Sequence, residues 1–320
     1  MIKYIGYKTE TKVSYATYDA IEECNNKNGF NYECSRQVLA FMGDKICWKI
    51  VRTNEDGSVK LRYQGKTTNS NGKFTCSTDA TPVTSMPFNA LSDDIAYSGY
   101  MYPDVPTTSS ILEMDNHTLN KNESDIKEFL DNWYEENLAT YENNIADTIY
   151  CNDRTIAKGD NYVGRSNSKK PFGKNIVFFG SIERVVDENA NTWMPKVDAN
   201  PQFKCERMED SFTKSESIGN GKLDNAIGLL TVDETTYAGT QFAIGSLNIK
   251  NYLFARYSCW LMSPSDLYNS IARILFFDFL NTGIENVDSS KSSVFPVISL
   301  TSNTKIINGT STANNPYIVE

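Results

Sequence analysis

Histidine is almost missing from this chain. One residue, His117, serves 320 positions, so a Ser-His-Asp triad or a multi-histidine metal centre has at most one member to draw on. Basic residues are also few. Lys and Arg total 31 against 40 Asp and Glu, a net charge of −9, and no basic run occurs. A chain of this kind is a poor partner for nucleic-acid phosphates, and no nucleic-acid partner is expected. No apolar stretch reaches the length of a bilayer span, and no signal-peptide core follows the opening residues. No CxxC pair, no Gly-rich phosphate loop after a strand, no D-x-D-x-D-G calcium loop and no solenoid-length repeat is found. No cofactor or metal is expected.

What is present is enough for a packed interior. Hydrophobic residues make up 40% and aromatics 12% of the chain. The 33 Asn, with many Ser, Thr and Tyr, give a polar surface of low charge. That composition is associated with secreted bacterial proteins and predicts an extracellular or cell-surface location, with a leader or anchor outside the chain. The seven cysteines are dispersed. Cys24–Cys34, Cys47–Cys76 and Cys151–Cys205 are the expected bridges. Cys259, in the aromatic context Tyr257-Ser258-Cys259-Trp260-Leu261, is expected as a buried thiol. The alternative is seven reduced thiols in a cytosolic protein.

Residues 1–43 read as an extension with two weakly helical stretches, Tyr18–Asn25 and Ser35–Phe41. The first clear element comes next. Ile46, Trp48 and Ile50 alternate with Cys47, Lys49 and Val51. Beyond Asn54-Glu55-Asp56-Gly57, Val59, Leu61 and Tyr63 alternate with Lys60, Arg62 and Gln64. Period two on both sides of an Asp-Gly turn predicts a β-hairpin with one buried face. Residues 66–120 read as loops with short strands, one of them around Ile95–Tyr102. From Ser124 to about Ala146, Ile126, Phe129, Leu130, Trp133, Tyr134 and Leu138 fall at helical spacing, with Asn122 and Ser124 as candidate N-caps. An apolar run, Ile176–Phe179, interrupts the loop-rich stretch 150–220. Ile227–Leu230 reads as a short buried strand. Thr231-Val232-Asp233-Glu234 fits a capping box opening a helix that stops at Gly239. The last third reads as strands: Cys259–Met262, Ile271–Phe279, Val294–Leu300 and Thr304–Ile307. Two main helices among short strands and long loops argue for an α+β fold.

Several segments carry a resemblance when taken together and in order. They are Trp48-Lys49-Ile50-Val51-Arg52, Asp131-Asn132-Trp133-Tyr134, Tyr150-Cys151-Asn152-Asp153-Arg154, Phe203-Lys204-Cys205, Leu229-Leu230-Thr231-Val232-Asp233-Glu234, Trp260-Leu261-Met262-Ser263-Pro264-Ser265 and Pro296-Val297-Ile298-Ser299-Leu300. Over residues 44–320 the chain resembles a large family of surface or secreted proteins from gut Firmicutes, classed as a domain of unknown function. That family is distantly similar to the formylglycine-generating-enzyme-like branch of the C-type lectin fold. The resemblance implies a C-type lectin-like fold with short twisted antiparallel sheets, two main helices and long loops. Formylglycine-generating enzymes need two cysteines late in the fold, and only Cys259 lies beyond Cys205, so that activity is not expected.

In C-type lectin-like folds, ligands meet the C-terminal strands and loops. The resemblance therefore implies a binding surface from Trp260, Ser263, Ser265, Asp266, Tyr268, Asn269, Arg273 and Asp278, where aromatic faces and polar groups suit a glycan or a protein epitope. Trp260 and Phe276 are weighed also as core residues. The expected function is a non-enzymatic extracellular ligand-binding module recognising glycan or protein, as in carbohydrate binding or adhesion, at the bacterial surface. The alternatives are a carboxylate-based hydrolase on the same scaffold and a structural subunit of a surface filament. His117 reads as a solvated loop residue. Asp93-Asp94, Glu135-Glu136 and Asp187-Glu188 are each adjacent in sequence, so their side chains diverge and none forms a persuasive catalytic pair.

Overall fold

The computed structural model describes residues 38–41, 46–70, 73–102, 120–155, 157, 176–189, 192–195, 201–205, 210–215, 221–240, 253, 256–278 and 282–319. The principal strands are β1 (Val38–Phe41), β2 (Ile46–Thr53), β3 (Val59–Lys66), β4 (Cys259–Tyr268), β5 (Ile271–Phe277), β6 (Thr282–Asn286), β7 (Val297–Leu300), β8 (Ile306–Asn308) and β9 (Tyr317–Val319). The helices that bear on the site are α1 (Asp125–Asn137), α2 (Gly180–Val185) and α3 (Val232–Tyr237).

One six-stranded sheet has the order β7-β3-β2-β1-β9-β8. The other runs β6-β5-β4, then Ser293–Val294 and Thr84–Ser85, with Ile176–Phe178 also paired to β4. All the ladders are antiparallel except β1 with β9 and β4 with Ser293–Val294. Local hairpins and helices outside the sheets make this an α+β arrangement rather than a βαβ one.

The β2–β3 hairpin forms as its alternation predicts, around Asn54–Gly57 with Gly57 at φ 81°. The Asn54 amide donates to the Ser58 carbonyl at 2.9 Å. The expectation of one buried face is corrected, because both faces are covered. Trp48 and Tyr63 pack under Trp133 of α1, with ring centroids 6.3 and 5.5 Å from it. On the opposite face Lys60 and Arg62 are buried as well.

Ser35–Phe41 is also corrected: Val38–Phe41 is a strand, its backbone satisfied by β2 on one side and β9 on the other. The Tyr18–Asn25 expectation lies outside the described residues. Of the strand expected around Ile95–Tyr102, Met101–Tyr102 forms, paired with Asn122–Glu123, while Ile95–Ser98 is a 3₁₀ helix whose cap is the Asp94 side chain, accepting from the Ala96 amide. Ile227–Leu230 is buried but makes one bridge, Gly228 to Val297, rather than a ladder. A methyl group added at Gly228 would stand 2.4 Å from Tyr150 Cδ1, which explains why this position lacks a side chain. Val294–Leu300 divides at Phe295-Pro296 into two strands in different sheets.

α1 opens where the spacing places it. Ser124 caps it, and Ile126, Leu130 and Tyr134 face inward. It ends at Asn137, and a 3₁₀ turn, Ala139–Asn144, completes the stretch expected as helix. α2 has too few residues to show a period and is not foreseen. Among the described residues no helix is long and apolar enough to cross a membrane.

The Lys127 side chain of α1 is fully buried, with its Nζ 2.5 Å from Glu123 and 2.6 Å from Asp131. Removing one partner of a buried pair leaves the other charge uncompensated. Lys127→Met is expected to lower stability by about 1–3 kcal/mol in chemical denaturation, since the acids it leaves behind are part-exposed. A loss below about 1 kcal/mol would show the cluster to be solvated instead.

Candidate functional site

The site begins with the capping box read in the sequence. Thr231 Oγ1 accepts from the Glu234 amide, and Glu234 Oε2 accepts from the Thr231 amide at 3.1 Å. This fixes the first turn of α3 and aims two successive acids in different directions. Glu234 Oε1 meets Lys60 Nζ at 2.7 Å and Arg52 Nε at 2.9 Å. Asp233 receives a two-point contact from Arg184 of α2, at 2.9 and 2.8 Å. A third Arg184 nitrogen donates to Asp153 at 2.6 Å.

Arg52 reaches Glu234 because of a bulge in the hairpin. Ile50 pairs with Leu61 but Arg52 pairs with Lys60, so Val51 is the extra residue. The shift brings Arg52 to the Lys60 side of the sheet, which a regular register would deny it. Tyr150 lies beneath, with Lys60 Nζ 5.3 Å from its ring centroid.

The segment after Tyr150 is pinned at alternate residues. Asn152 is buried, accepting from the Tyr100 amide at 2.6 Å and donating to the Met262 carbonyl at 2.7 Å. Arg154 is buried against Asp210, 2.8 Å away. Between these anchors Cys151 and Asp153 face outward, and Asp153 takes φ 33°. Cys151 bridges to Cys205, with Cα atoms 5.5 Å apart. The bridge ties residues 201–205 across the opening as a strap. Within the strap the Gln202 amide donates to Asp233 at 2.9 Å. The Phe203 ring lies under Arg52 at 5.0 Å and edge-on to Tyr237 at 4.7 Å.

These elements enclose a cleft of ≈ 430 Å³ including its open mouth. Arg52, Lys60, Arg184 and Lys204 line it against Asp153, Asp233 and Glu234, an excess of one positive charge. Ile149 and Phe203, each 40% exposed, form an apolar rim. Burial alone would raise the Glu234 carboxyl; Lys60 and Arg52 outweigh it and hold it at about 2. Burial also lowers the Lys60 ammonium, and Glu234 offsets this only in part. The Arg184 guanidinium is held above its ordinary value: burial opposes its charge, but the hydrogen bonds and charge of Asp233, with Asp153, prevail.

The chain matches no family model, no curated protein and no solved structure.

The eight surface residues expected from the sequence are dispersed. Trp260, Ser265 and Asp266 are buried inside the β4–β5 hairpin. Trp260 donates to the Met86 carbonyl at 2.8 Å and packs edge-on to Phe88. Asp266 pairs with Arg273 at 2.6 Å, and burial raises its carboxyl despite that partner. Tyr268, Asn269 and Arg273 lie at the hairpin tip, where the Arg273 guanidinium covers the Tyr268 ring at 4.7 Å. Asp278 follows β5 and is half-buried. Ser263 alone lines the cleft, its hydroxyl accepting from the Val232 amide at 2.9 Å.

Cys47–Cys76 is also bridged, and Cys259 is a buried thiol beside Arg62. Cys24, Cys34 and His117 lie outside the described residues. Asp94 caps the 3₁₀ helix, and Glu135 and Glu136 are exposed on α1. Asp187 and Glu188 lie in a strand paired with Thr192–Pro195. The carboxylates of Glu123, Asp131 and Asp224 lie within 4.8 Å of one another, but Lys127 Nζ already stands among them as their cation.

Sequence reasoning missed Arg52, Lys60 and Arg184. The signal was three bases, Arg52, Lys60 and Arg62, on one hairpin, opposite a capping box whose acids needed partners.

Two outcomes follow. Glu234 titrates near 4.5 when unfolded and about 2 when folded, so its contribution is fully present above pH 4.5 and lost as the pH falls through about 2. Glu234→Gln should remove about 3 kcal/mol of pH dependence from denaturation measured across that window. An acid limb identical to that of the native chain would refute the pairing. Opening the 54-residue Cys151–Cys205 loop by a double Cys→Ser change should cost about 3–4 kcal/mol. It should also speed proteolysis within residues 201–205, as read by limited digestion and mass spectrometry.

Proposed function

We propose that the chain is a non-enzymatic extracellular ligand-binding module, recognising glycan or protein at the bacterial surface through the strap-bordered cleft. The carrying observation is the state of the cleft's acids. Asp153, Asp233 and Glu234 are all locked in ion pairs. General acid–base chemistry needs a carboxyl poised near the working pH, and Glu234 lies far below it. A rigid charged floor under an exposed apolar rim suits recognition.

Two disulfides support an oxidising compartment. The mixed architecture of short sheets, few helices and long connections supports the C-type lectin-like reading, as does the agreement of the capping-box helix with its sequence motif. In this reading the Firmicutes surface-protein resemblance supplies the location, and the cleft supplies the contact.

Immobilised glycan and protein arrays test the proposal. The oxidised chain should bind within one class at micromolar strength, and Phe203→Ala should weaken that binding by about tenfold, the loss of one well-packed aromatic contact. Binding indifferent to Phe203, or none on either array, would count against it.

A further inference from the structure

The ligand class can be narrowed by asking which cleft groups remain available. The floor is occupied internally: Arg184 by Asp233 and Asp153, Lys60 by Glu234, Ser263 by the Val232 amide and Thr231 by the Glu234 amide. The strap differs. Among the described residues Lys204 makes no ion pair, and the Gln202 side chain makes no hydrogen bond. Phe203 keeps 40% of its surface exposed although Arg52 and Tyr237 lie against it. Three consecutive residues thus offer a cation, a side-chain amide that both donates and accepts, and a part-exposed aromatic ring on the border of one cleft.

We propose that this strap binds a carboxylated sugar, such as a uronic acid residue of an acidic glycan. The inference rests on the binding-module reading above. Phe203 receives the apolar face of the pyranose ring. Lys204, the one cation left over once the three bases and three acids of the floor cancel, pairs with the carboxylate. The Gln202 amide takes hydroxyls, which need a donor and an acceptor from the same group.

An acidic peptide is the disfavoured occupant. An extended peptide gains affinity by adding to a free strand edge. The strand beside the cleft, Tyr150–Cys151, is two residues long and already paired with Ser211–Phe212. With a net charge of −9, the protein as a whole repels polyanions, so selectivity for an acid has to come from the local site.

Calorimetric titration of the oxidised full chain would use an oligogalacturonate, its methyl-esterified neutral form and a glutamate oligomer of equal charge. The acidic sugar should bind about tenfold more tightly than the ester, and the difference should shrink as salt rises. Lys204→Gln should abolish the preference for the acid. Phe203→Ala should weaken acid and ester by the same factor. Both side chains are exposed, and thermal melts should confirm unchanged folding.

Equal binding of acid and ester, with Phe203 dependence kept, overturns the acidic-sugar assignment and leaves the binding-module reading standing. Glutamate oligomer binding as tight as the sugar overturns the assignment in favour of an acidic peptide. Binding indifferent to both substitutions, or no binding at all, overturns the cleft as the site.

Discussion

The structure around the cleft depends on one buried carboxylate. Glu234 closes the capping box of α3 and takes Lys60 and Arg52 from the hairpin. It therefore joins the first sheet to the helix that carries Asp233. Lys60 has 3% of its side chain exposed and Glu234 1%. Each offsets part of the cost of burying the other's charge, because an unpaired buried ion loses its hydration and gains nothing back. The bulge that turns Arg52 toward Glu234 supplies a second cation, and the carboxylate then outweighs its own burial. A polar cluster of this kind fixes geometry more than it adds stability: the helix has one orientation in which both acids find their bases.

The same economy of anchoring recurs at Cys151–Arg154. Asn152 and Arg154 point inward and bond to backbone or to a buried acid, leaving Cys151 and Asp153 to face the cleft. Successive residues of an extended segment diverge, so four residues build an anchor and a site at once. Cys151 then extends that rigidity to residues 201–205, where the Gln202 backbone amide also donates to Asp233 and the Phe203 ring packs on Tyr237. The parts of the cleft that touch the interior are locked by charge. The part that faces outward is locked covalently.

Local signals in the sequence were legible, while signals that needed the third dimension were not. The Asp-Gly hairpin, the Ser124-capped helix and the capping box are written within a few residues, where propensity and spacing act directly. The two bridges and the buried Cys259 followed from dispersed cysteines and an apolar context. The site was less legible for an identifiable reason. Period-two reading assigns Lys60 and Arg62 to water, since bases are rarely buried. They are buried because Glu234, 174 positions after Lys60, supplies a carboxylate, and because the Leu253 carbonyl and Gln64 receive Arg62. No periodicity records a partner that distant. Ser265 and Asp266 misled in the opposite sense: their chemistry suits a ligand, but both are buried in the β4–β5 hairpin, as is Trp260, for which a core position was the other reading.

The division between an occupied floor and an open strap bears on what the cleft can do. A catalytic site keeps a group whose protonation or bonding changes during reaction, and the surrounding charges tune that group toward the working pH. Here the surrounding charges do the reverse. Two bases hold the Glu234 carboxyl far below its ordinary value, and Arg184 spans Asp233 and Asp153. Such a floor is nearly inert: its three bases and three acids cancel, and the one positive charge in excess is that of Lys204 on the strap. Recognition then falls to groups outside that closed network. Gln202, Phe203 and Lys204 meet this condition, since the charge network closes without any of their side chains. The strap is thus the part of the molecule where ligand preference can change while the fold does not, provided the disulfide holds it in place.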